Sequence, residues 1–489
     1  MAAETPVTTR APRPGFYSGA APAVPPPGCS EEVAGVAFGV RPGQRRALAA
    51  LVVLMMAVST GSAVALTAPR FIAPPVAVPP EPVPLLGPLA PDAPQPTAAG
   101  VAAALDPLAS SAALGRLTGT VLDPATGAVL WNRGAERGTV PGSTAKLLTA
   151  AAALLTLDPT ERLATRVLPG GQPGTIVLVG GGDPTLTALP AGTDGVYPEP
   201  SRLADLADTV KASGTKVDRI VVDASRYSGG GLAEGWSPGD VAGGYVTPIE
   251  ALMIDGGRID PALQDGPRVQ DPALTAGRAF ARLLGVEERN VTAGTAPTGD
   301  VRSIASVFSA PVAELVEHAI RTSDNVLAEM LAREVALARE GDTSFAGAAD
   351  EVTGALNQAG FDTSGLVLVD GSGLSTRDRV PARLLGAVLA AAAVPAQSRR
   401  DTLFLRPLLT GLPVAGGDGT LDDRFTGTGR GVVRAKTGTL TGVSSLAGVV
   451  TDGDGRLLVF AFMSTGTSPA VARPELDRLA ASLSGCGCR

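Results

Sequence analysis

The sequence predicts an α+β domain, a sheet flanked by helices, that is interrupted by an inserted domain and preceded by a transmembrane helix. Strand-like segments lie at both ends of the region after residue 98, with helical segments between them, which is typical of the α+β class. Short strands, Gly-rich turns and a helix over residues 201–213 fill residues 164–301. Residues 47–66 form an uncharged run of 20 residues, enough for a helix to cross about 30 Å of hydrocarbon.

The N-terminal region predicts a tail and an anchor. Residues 1–46 are rich in Pro, Gly and Ala without periodicity, which predicts a disordered tail. Arg45 and Arg46 precede the run 47–66, so the positive-inside rule places the tail in the cytoplasm and the remainder outside. A cleaved signal peptide is the alternative, because Ala63-Val64-Ala65 fits a cleavage site. The 46 residues before the run are far more than the charged segment that usually begins a signal peptide, and this favours the anchor.

A linker and two domains follow. Residues 67–98 are Pro-rich, with eleven prolines among the 28 residues 69–96. A polyproline spacer extends by about 3.1 Å per residue and holds a domain away from its attachment point. We assign residues 99–163 and 302–489 to the main domain and 164–301 to the insert. The insert contributes none of the motifs described below, so we expect it to shape access rather than chemistry.

Local patterns predict the elements of the main domain. Residues 117–132 predict a hairpin, two apolar strands around an Asp-Pro…Gly turn. Residues 143–157 predict a helix that stops before Asp158 and Pro159. Residues 302–350 are predicted to be mainly helical. Three apolar strands and a helix from Ala470 to Leu483 close the chain.

Composition excludes several classes of function. The net charge of −7 and pI of about 5.1, without a basic patch or aromatic ladder, argue against a nucleic-acid partner. The one histidine, His318, excludes a multi-histidine metal site. We predict no metal and no cofactor, and expect that a nucleophile in this chain uses a base other than histidine.

The first candidate motif is Ser143-Thr-Ala-Lys146, at the start of the predicted helix. Side chains at i and i+3 share a helix face, with about 5–6 Å between their Cβ atoms. The helix N-terminus offers free N–H groups and positive potential to a developing oxyanion, and a neutral lysine can take the serine proton. The same spacing recurs from Ser213 to Lys216, but that copy leads into a strand, and we interpret it as a surface turn.

The second motif is Ser323-Asp324-Asn325, just before another helical segment. A hydroxyl and an amide two residues apart point the same way if the segment is extended. A helix N-cap is the alternative, since serine and asparagine both cap well.

The third motif is Lys436-Thr437-Gly438-Thr439, at the end of an apolar strand. A glycine within a strand often marks the close approach of another backbone, here potentially a substrate peptide at a sheet edge. An exposed strand end is the alternative.

Lysine usage ties these motifs together. The chain has 36 arginines but four lysines, and two of these, Lys146 and Lys436, lie in the motifs. Because a buried lysine can lose its proton whereas arginine keeps it, lysine should persist where arginine cannot serve. Asn325 is likewise one of only four asparagines.

The order S-x-x-K, S-D-N, K-T-G resembles the signature of penicillin-binding proteins and class A β-lactamases. The chain is most similar to the low-molecular-mass class C penicillin-binding proteins, the D-alanyl-D-alanine carboxypeptidase/endopeptidase family. The segments that carry the similarity are TVPGSTAKLLTAAAAL, VGGGDPTL, DGSGLS, LPVAGGDGTL and VRAKTGTLTGVSSLAG. The resemblance implies a serine β-lactamase/transpeptidase-like domain, with an antiparallel sheet flanked by helices and a β-rich insert between the first two motifs.

The resemblance also implies roles for the motif residues. Ser143 would be the acylated nucleophile, Lys146 its base, and Ser323 the relay of a proton to the leaving D-alanine. The backbone N–H groups of Ser143 and Thr439 would form the oxyanion hole. The residues implied to bind substrate are Asn325, Lys436, Thr437, Gly438 and Thr439. We interpret Asp370 to Ser375 as a structural turn near the site.

The resemblance predicts a serine D-alanyl-D-alanine carboxypeptidase that acts on peptidoglycan stem peptides and is inhibited covalently by β-lactams, and it leaves additional endopeptidase activity open. The apolar run 47–66 predicts that this enzyme is attached to the membrane. A β-lactamase on the same fold is one alternative, although no clear counterpart of its Glu-centred base is present. A non-catalytic cell-wall-binding protein is the other, and three intact motifs argue against it.

Overall fold

The computed structural model describes residues 93–394, 400–487 and 489. The predicted tail, the apolar run 47–66 and most of the Pro-rich linker lie outside these residues, so they stay predictions. Within the described ranges, no helix is both long enough and apolar enough to cross a membrane.

The described residues form eleven α-helices and twelve strands. The helices are α1 (Ala98–Ala109), α2 (Lys146–Thr156), α3 (Leu203–Ala212), α4 (Pro238–Ala242), α5 (Pro272–Leu284), α6 (Val312–Thr322), α7 (Asn325–Ala338), α8 (Phe345–Gln358), α9 (Ala382–Ala393), α10 (Pro407–Thr410) and α11 (Pro469–Ser484). The strands are β1 (Arg116–Asp123), β2 (Ala128–Arg133), β3 (Gly138–Thr139), β4 (Arg162–Pro169), β5 (Thr175–Val179), β6 (Arg219–Asp223), β7 (Val291–Ala293), β8 (Ala305–Pro311), β9 (Val380–Pro381), β10 (Val433–Leu440), β11 (Val443–Thr451) and β12 (Leu457–Thr465).

The main domain is an antiparallel five-stranded sheet between two helical layers, as predicted for the α+β class. Its strand order is β10-β11-β12-β1-β2. Both faces are apolar: along β12, Phe460 and Phe462 pack towards α1 and α11, whereas Val459 and Ala461 pack towards the layer that contains α2, α7 and α9. This alternation follows from the two-residue period of a strand.

The hairpin, the helix after Ser143 and the last three strands are confirmed. β1 and β2 pair antiparallel, as do β10, β11 and β12. A 3-10 turn, Gly142–Ala145, leads directly into α2. These elements are predictable because their apolar patterns are long and end in clear turn residues.

The insert differs from the prediction in composition and in extent. Its sheet, in the order β7-β6-β5-β4-β8, has parallel β5-β6 and β6-β7 pairs and packs against α3 and α5, so the insert is α/β and not β-rich. The sheet also runs past the predicted limits 164–301, because β4 begins at Arg162 and pairs with β8, which ends at Pro311. β8 lies at the start of residues 302–350, which are predicted to be mainly helical, and it is half-exposed with little apolar alternation.

Candidate active site

The nucleophile candidate lies on the turn that opens α2. Gly142 takes the left-handed conformation, with φ of 54°, and turns the chain into the helix. Ser143 is partly exposed, whereas Lys146 is buried. The two side chains share the helix face predicted from their spacing, and Lys146 Nζ lies 2.9 Å from Ser143 Oγ. By contrast, the second copy of the spacing ends in Lys216, whose side chain is exposed and lies beside Asp218. This agrees with the interpretation of that copy as a surface turn.

Lys146 is held among three oxygen atoms. Besides Ser143 Oγ, its Nζ lies 2.5 Å from Asn325 Oδ1 and 2.8 Å from the carbonyl oxygen of Ser372. Burial lowers the pKa of Lys146 to about 8, although Asp370 and other carboxylates oppose this. A neutral amine has two N–H donors and one lone pair, which matches two carbonyl oxygens and one hydroxyl. The arrangement therefore suits a lysine that accepts the proton of Ser143.

The S-D-N motif bridges two helices. Ser323 ends α6 in the left-handed conformation, with φ of 62°, which is unusual for a residue other than glycine. Asp324 caps α7, and its side chain accepts from the N–H of Leu327. The capping alternative therefore holds for Asp324 and leaves Ser323 and Asn325 facing the site. Asn325 Nδ2 donates to the carbonyl oxygen of Tyr245, so its amide plane is fixed at both ends.

The insert holds Asp324 from the other side. Arg258 donates to Asp324 Oδ2 at 2.8 Å, Tyr197 donates to the same oxygen at 3.0 Å, and both ionic side chains are fully buried. Burial alone would raise the pKa of Asp324, but Arg258 and Arg268 keep it well below its usual range. The insert therefore fixes the residue between Ser323 and Asn325. That it shapes access rather than chemistry stays a prediction.

The K-T-G strand β10 is the edge of the main sheet and packs against the nucleophile turn. A Cβ atom on Gly438 would lie 2.4 Å from the carbonyl oxygen of Pro141 and 3.1 Å from Ser143 N. The close approach predicted from this glycine is therefore to the chain's own backbone. Lys436 has no exposed surface and donates to the carbonyl oxygen of Thr437. Burial, and then Lys146, lowers its pKa well below the usual value.

A buried carboxylate supports Lys146 through a loop. Glu329 accepts hydrogen bonds of 3.0 and 2.8 Å from the N–H groups of Gly371 and Ser372, and Ser372 presents its carbonyl to Lys146. Asp370 accepts from the N–H of Gly373 within the same loop. Burial raises the pKa of Glu329 to about 8. The turn from Asp370 to Ser375 is thus structural and also contacts the site.

One cavity of about 550 Å³ collects residues of all three motifs. Its walls include Ser143, Ser323, Asn325, Thr437 and Thr439. Lys146, Lys436 and Gly438 lie just behind this surface and are buried. The sequence-predicted residues are therefore brought together, five at the cavity wall and three beneath it.

Sequence reasoning missed the supporting residues Arg258, Tyr197 and Glu329. Glu329 lies four residues after Asn325 on α7, so the shared helix face was a usable signal. Arg258 and Tyr197 come from loops of the insert, and only the tertiary fold brings them to Asp324.

Comparisons with known proteins identify the family and several relatives of the chain. The profile of the D-Ala-D-Ala carboxypeptidase 3 (S13) family matches residues 101–267 and 262–484. A carboxypeptidase of Mycobacterium tuberculosis is 48% identical over 408 residues, 82% of this chain and 87% of its own. Carboxypeptidase DacB of Mycolicibacterium smegmatis is 46% identical over 447 residues, 89% and 96% of the two chains. Penicillin-binding protein 4 of Haemophilus influenzae superposes with a TM-score of 0.62 at 22% identity, over 78% of this chain and 97% of its own, which concerns the fold.

Proposed function

Since the chain belongs to the S13 family of D-Ala-D-Ala carboxypeptidases, we propose that it trims peptidoglycan stem peptides through an acyl-enzyme on Ser143. It is a serine-type carboxypeptidase of the low-molecular-mass class C penicillin-binding proteins. The observation that carries the assignment of Ser143 is its 2.9 Å contact with the buried Lys146, at the wall of the cavity that all three motifs share.

Acylation uses a neutral Lys146. Its two N–H bonds point to Asn325 Oδ1 and the Ser372 carbonyl, so its lone pair faces the Ser143 hydroxyl. As Ser143 Oγ bonds to the scissile carbonyl carbon, its proton passes to Lys146. The oxyanion that forms is held by the N–H groups of Ser143 and Thr439. That pairing is supported by the packing of Gly438 against the Ser143 backbone.

The leaving group departs on the Ser323 side. The C–N bond breaks, and the proton now on Lys146 reaches the leaving amine through the Ser323 hydroxyl, which lines the same cavity. One N–H of Asn325 remains for a substrate carbonyl, since Nδ2 has two hydrogens and gives one to Tyr245. Water then cleaves the acyl ester and regenerates Ser143. The same acylation by a β-lactam yields a covalent adduct.

The decisive experiment is product analysis. The purified protein is incubated with a stem pentapeptide ending in D-Ala-D-Ala, and with a cross-linked dimer, and the products are identified by mass. Loss of one D-alanine from the pentapeptide supports carboxypeptidase activity, and cleavage of the cross-linked dimer demonstrates endopeptidase activity as well. A fluorescent penicillin separates the alternatives: stable labelling supports the proposal, transient labelling indicates a β-lactamase, and absence of label from both wild type and Ser143→Ala contradicts an acyl-enzyme.

The pH dependence follows from the lysine base. Because only the neutral amine accepts a proton and the pKa of Lys146 is lowered to about 8, the second-order acylation rate should rise with pH and level above that value. Below it, the rate should fall by about tenfold per pH unit. Stopped-flow labelling across roughly pH 6 to 9 measures the profile. A rate that stays flat over this range would exclude Lys146 as the base.

We also propose that residues 47–66 anchor the chain in the cell membrane, with the catalytic domain outside the cytoplasm. The uncharged run, the arginines before it and the Pro-rich segment after it support this topology. A secreted form, cleaved near Ala65, is the alternative. Cell fractionation should recover the full-length protein with the membranes, and a protease added to spheroplasts should digest the catalytic domain. Recovery of a shortened, membrane-free form would establish secretion instead.

A further inference from the structure

A second cavity adjoins the active site past the end of β10. Its volume is about 520 Å³, and it shares Thr441 with the cavity that contains Ser143. Gly442 and Val443, where the chain turns from β10 into β11, continue its wall. Residues 138–140, which lead to the nucleophile turn, line it as well. The second cavity is therefore within reach of a molecule that is bound at Ser143.

Three arginines line this second cavity. They are Arg116 at the start of β1, Arg137 directly before β3, and Arg379 directly before β9. All three are exposed, and none of them forms an ion pair with another described residue. Nη1 of Arg379 donates to the carbonyl oxygens of Thr376 and Asp378, whereas the Arg116 and Arg137 side chains make no hydrogen bond within the described ranges. Two guanidinium groups are therefore available to a ligand.

The wall offers no negative charge to balance these arginines. Among the described residues, those that line the second cavity include no aspartate and no glutamate. Glu136, the neighbour of Arg137 in the sequence, is engaged elsewhere, because its carboxylate pairs with Arg383. The second cavity therefore has a positive potential that favours an anion.

A buried hydroxyl on the same wall lacks a partner. Thr118 on β1 lines the second cavity and is 3% exposed, and its Oγ1 has no hydrogen-bond partner among the described residues. An unpaired buried hydroxyl is unfavourable, so a ligand that accepts its hydrogen bond gains from it. A carboxylate has several acceptor sites and no hydrogen to donate, which matches a hydroxyl and guanidinium groups.

The position of the second cavity indicates which part of a substrate reaches it. β10 is an edge strand, and an extended peptide paired with it advances by about 3.3 Å per residue. The family resemblance implies that the leaving end of the substrate lies at Lys436 and Thr437, so the acyl-donor part extends towards Thr441. Thr441 follows Thr439, whose N–H faces the scissile carbonyl, by two residues. The second cavity therefore begins about two residues before the scissile bond of the peptide.

We propose that Arg116, Arg137 and the Thr118 hydroxyl form a subsite for a carboxylate on the acyl-donor part of the substrate. This inference rests on the proposed carboxypeptidase function and adds a substrate preference, for stem peptides with an acidic second residue. A phosphate of another wall polymer has similar acceptor oxygens. The shared wall at Thr441, however, lets a peptide bound at Ser143 present its own carboxylate at a high effective concentration.

The test compares two stem pentapeptides that differ only at the second residue, which carries either a free carboxylate or a carboxamide. The ratio of their kcat/KM values measures the preference. The wild type should prefer the carboxylate peptide by about tenfold, as expected for one hydrogen bond to a charged group. Arg116→Gln and Arg137→Gln should each reduce this preference, and the double variant should abolish it. Arg137→Glu should reverse it, because like charges repel.

Arg133→Gln is the matched control. Arg133 is an exposed arginine on β2 that does not line the second cavity, so its loss changes the net charge equally. It should retain the wild-type preference, and thermal melting should show that all the variants fold. A wild type that hydrolyses both peptides equally, or cavity variants that lose equal activity on both, overturns the subsite. A wild type that hydrolyses neither peptide and takes no penicillin label would instead overturn the proposed function.

Discussion

Lys146→Arg should lower the second-order rate of acylation by a labelled penicillin by about two to four powers of ten, the contribution of a positioned general base. A guanidinium keeps its proton at any pH at which the protein is folded, so it cannot take the proton of Ser143. It is also too large for the site, because Lys146 is 1% exposed and already contacts three oxygens. Stopped-flow labelling gives the rate, and thermal melting shows whether the variant folds.

Lys436→Arg is the matched comparison. It keeps a positive charge near the cavity and should lose less, chiefly because a larger group must fit a site without exposed surface. The relevant quantity is the ratio of the two rates, measured on proteins that both melt cooperatively. If Lys146→Arg acylated faster than Lys436→Arg, the assignment of Lys146 as the base would be wrong.

Arg258→Met should lower both the free energy of unfolding and the rate of acylation. Without Arg258, the carboxylate of Asp324 is left fully buried without its ionic partner, which costs about 3–5 kcal/mol of unfolding free energy. Asp324 also fixes the turn between Ser323 and Asn325, so the remaining folded protein should acylate more slowly. Urea unfolding and the acylation rate, measured on the same preparation, report the two effects.

Two further variants isolate the cause. Arg282→Met removes an exposed arginine of the insert that pairs with Glu288, and should change stability little. Arg258→Met combined with Asp324→Asn removes both charges, so it should recover part of the lost stability, as expected for two groups that interact directly. Additive losses in the double variant would mean that the ion pair does not couple the insert to the motif.

The elements that could be predicted are those whose own residues carry a periodic apolar pattern. The hairpin of β1 and β2, the helix after Ser143 and the strands β10 to β12 each have a run of apolar residues with its own turn signals. Gly438 pointed correctly to a close backbone contact, but the sequence could not say whose backbone. The short strands of the insert were predicted, but the parallel pairing of β5 with β6 and of β6 with β7 was not, because parallel pairing depends on residues far apart in the chain. The helix α5 was not predicted.

The same limit applies to the site. The three motifs could be recognised as short patterns, and lysine usage singled out Lys146 and Lys436. What gives Lys146 its environment, however, is a carbonyl at Ser372 held by Glu329, and Asn325 held by Tyr245. These contacts join four separate segments, and no spacing rule encodes them. Of these residues, only Glu329 could have been predicted, because it follows Asn325 by four residues and so lies on the same helix face.

The order of strands in the main sheet determines how much of the chain must be synthesised before the site can form. β1, which precedes the nucleophile, has β12 as its inner neighbour, and the strand that packs on the Ser143 turn is β10. β1 lies near the start of the described residues and β10 and β12 lie near their end, so these strands can meet only after residues up to β12 have been synthesised. Until then Ser143, on the turn before α2, and Lys146, at the start of α2, lack the strand β10 that packs against that turn. A nascent or C-terminally truncated chain should therefore not be acylated by penicillin.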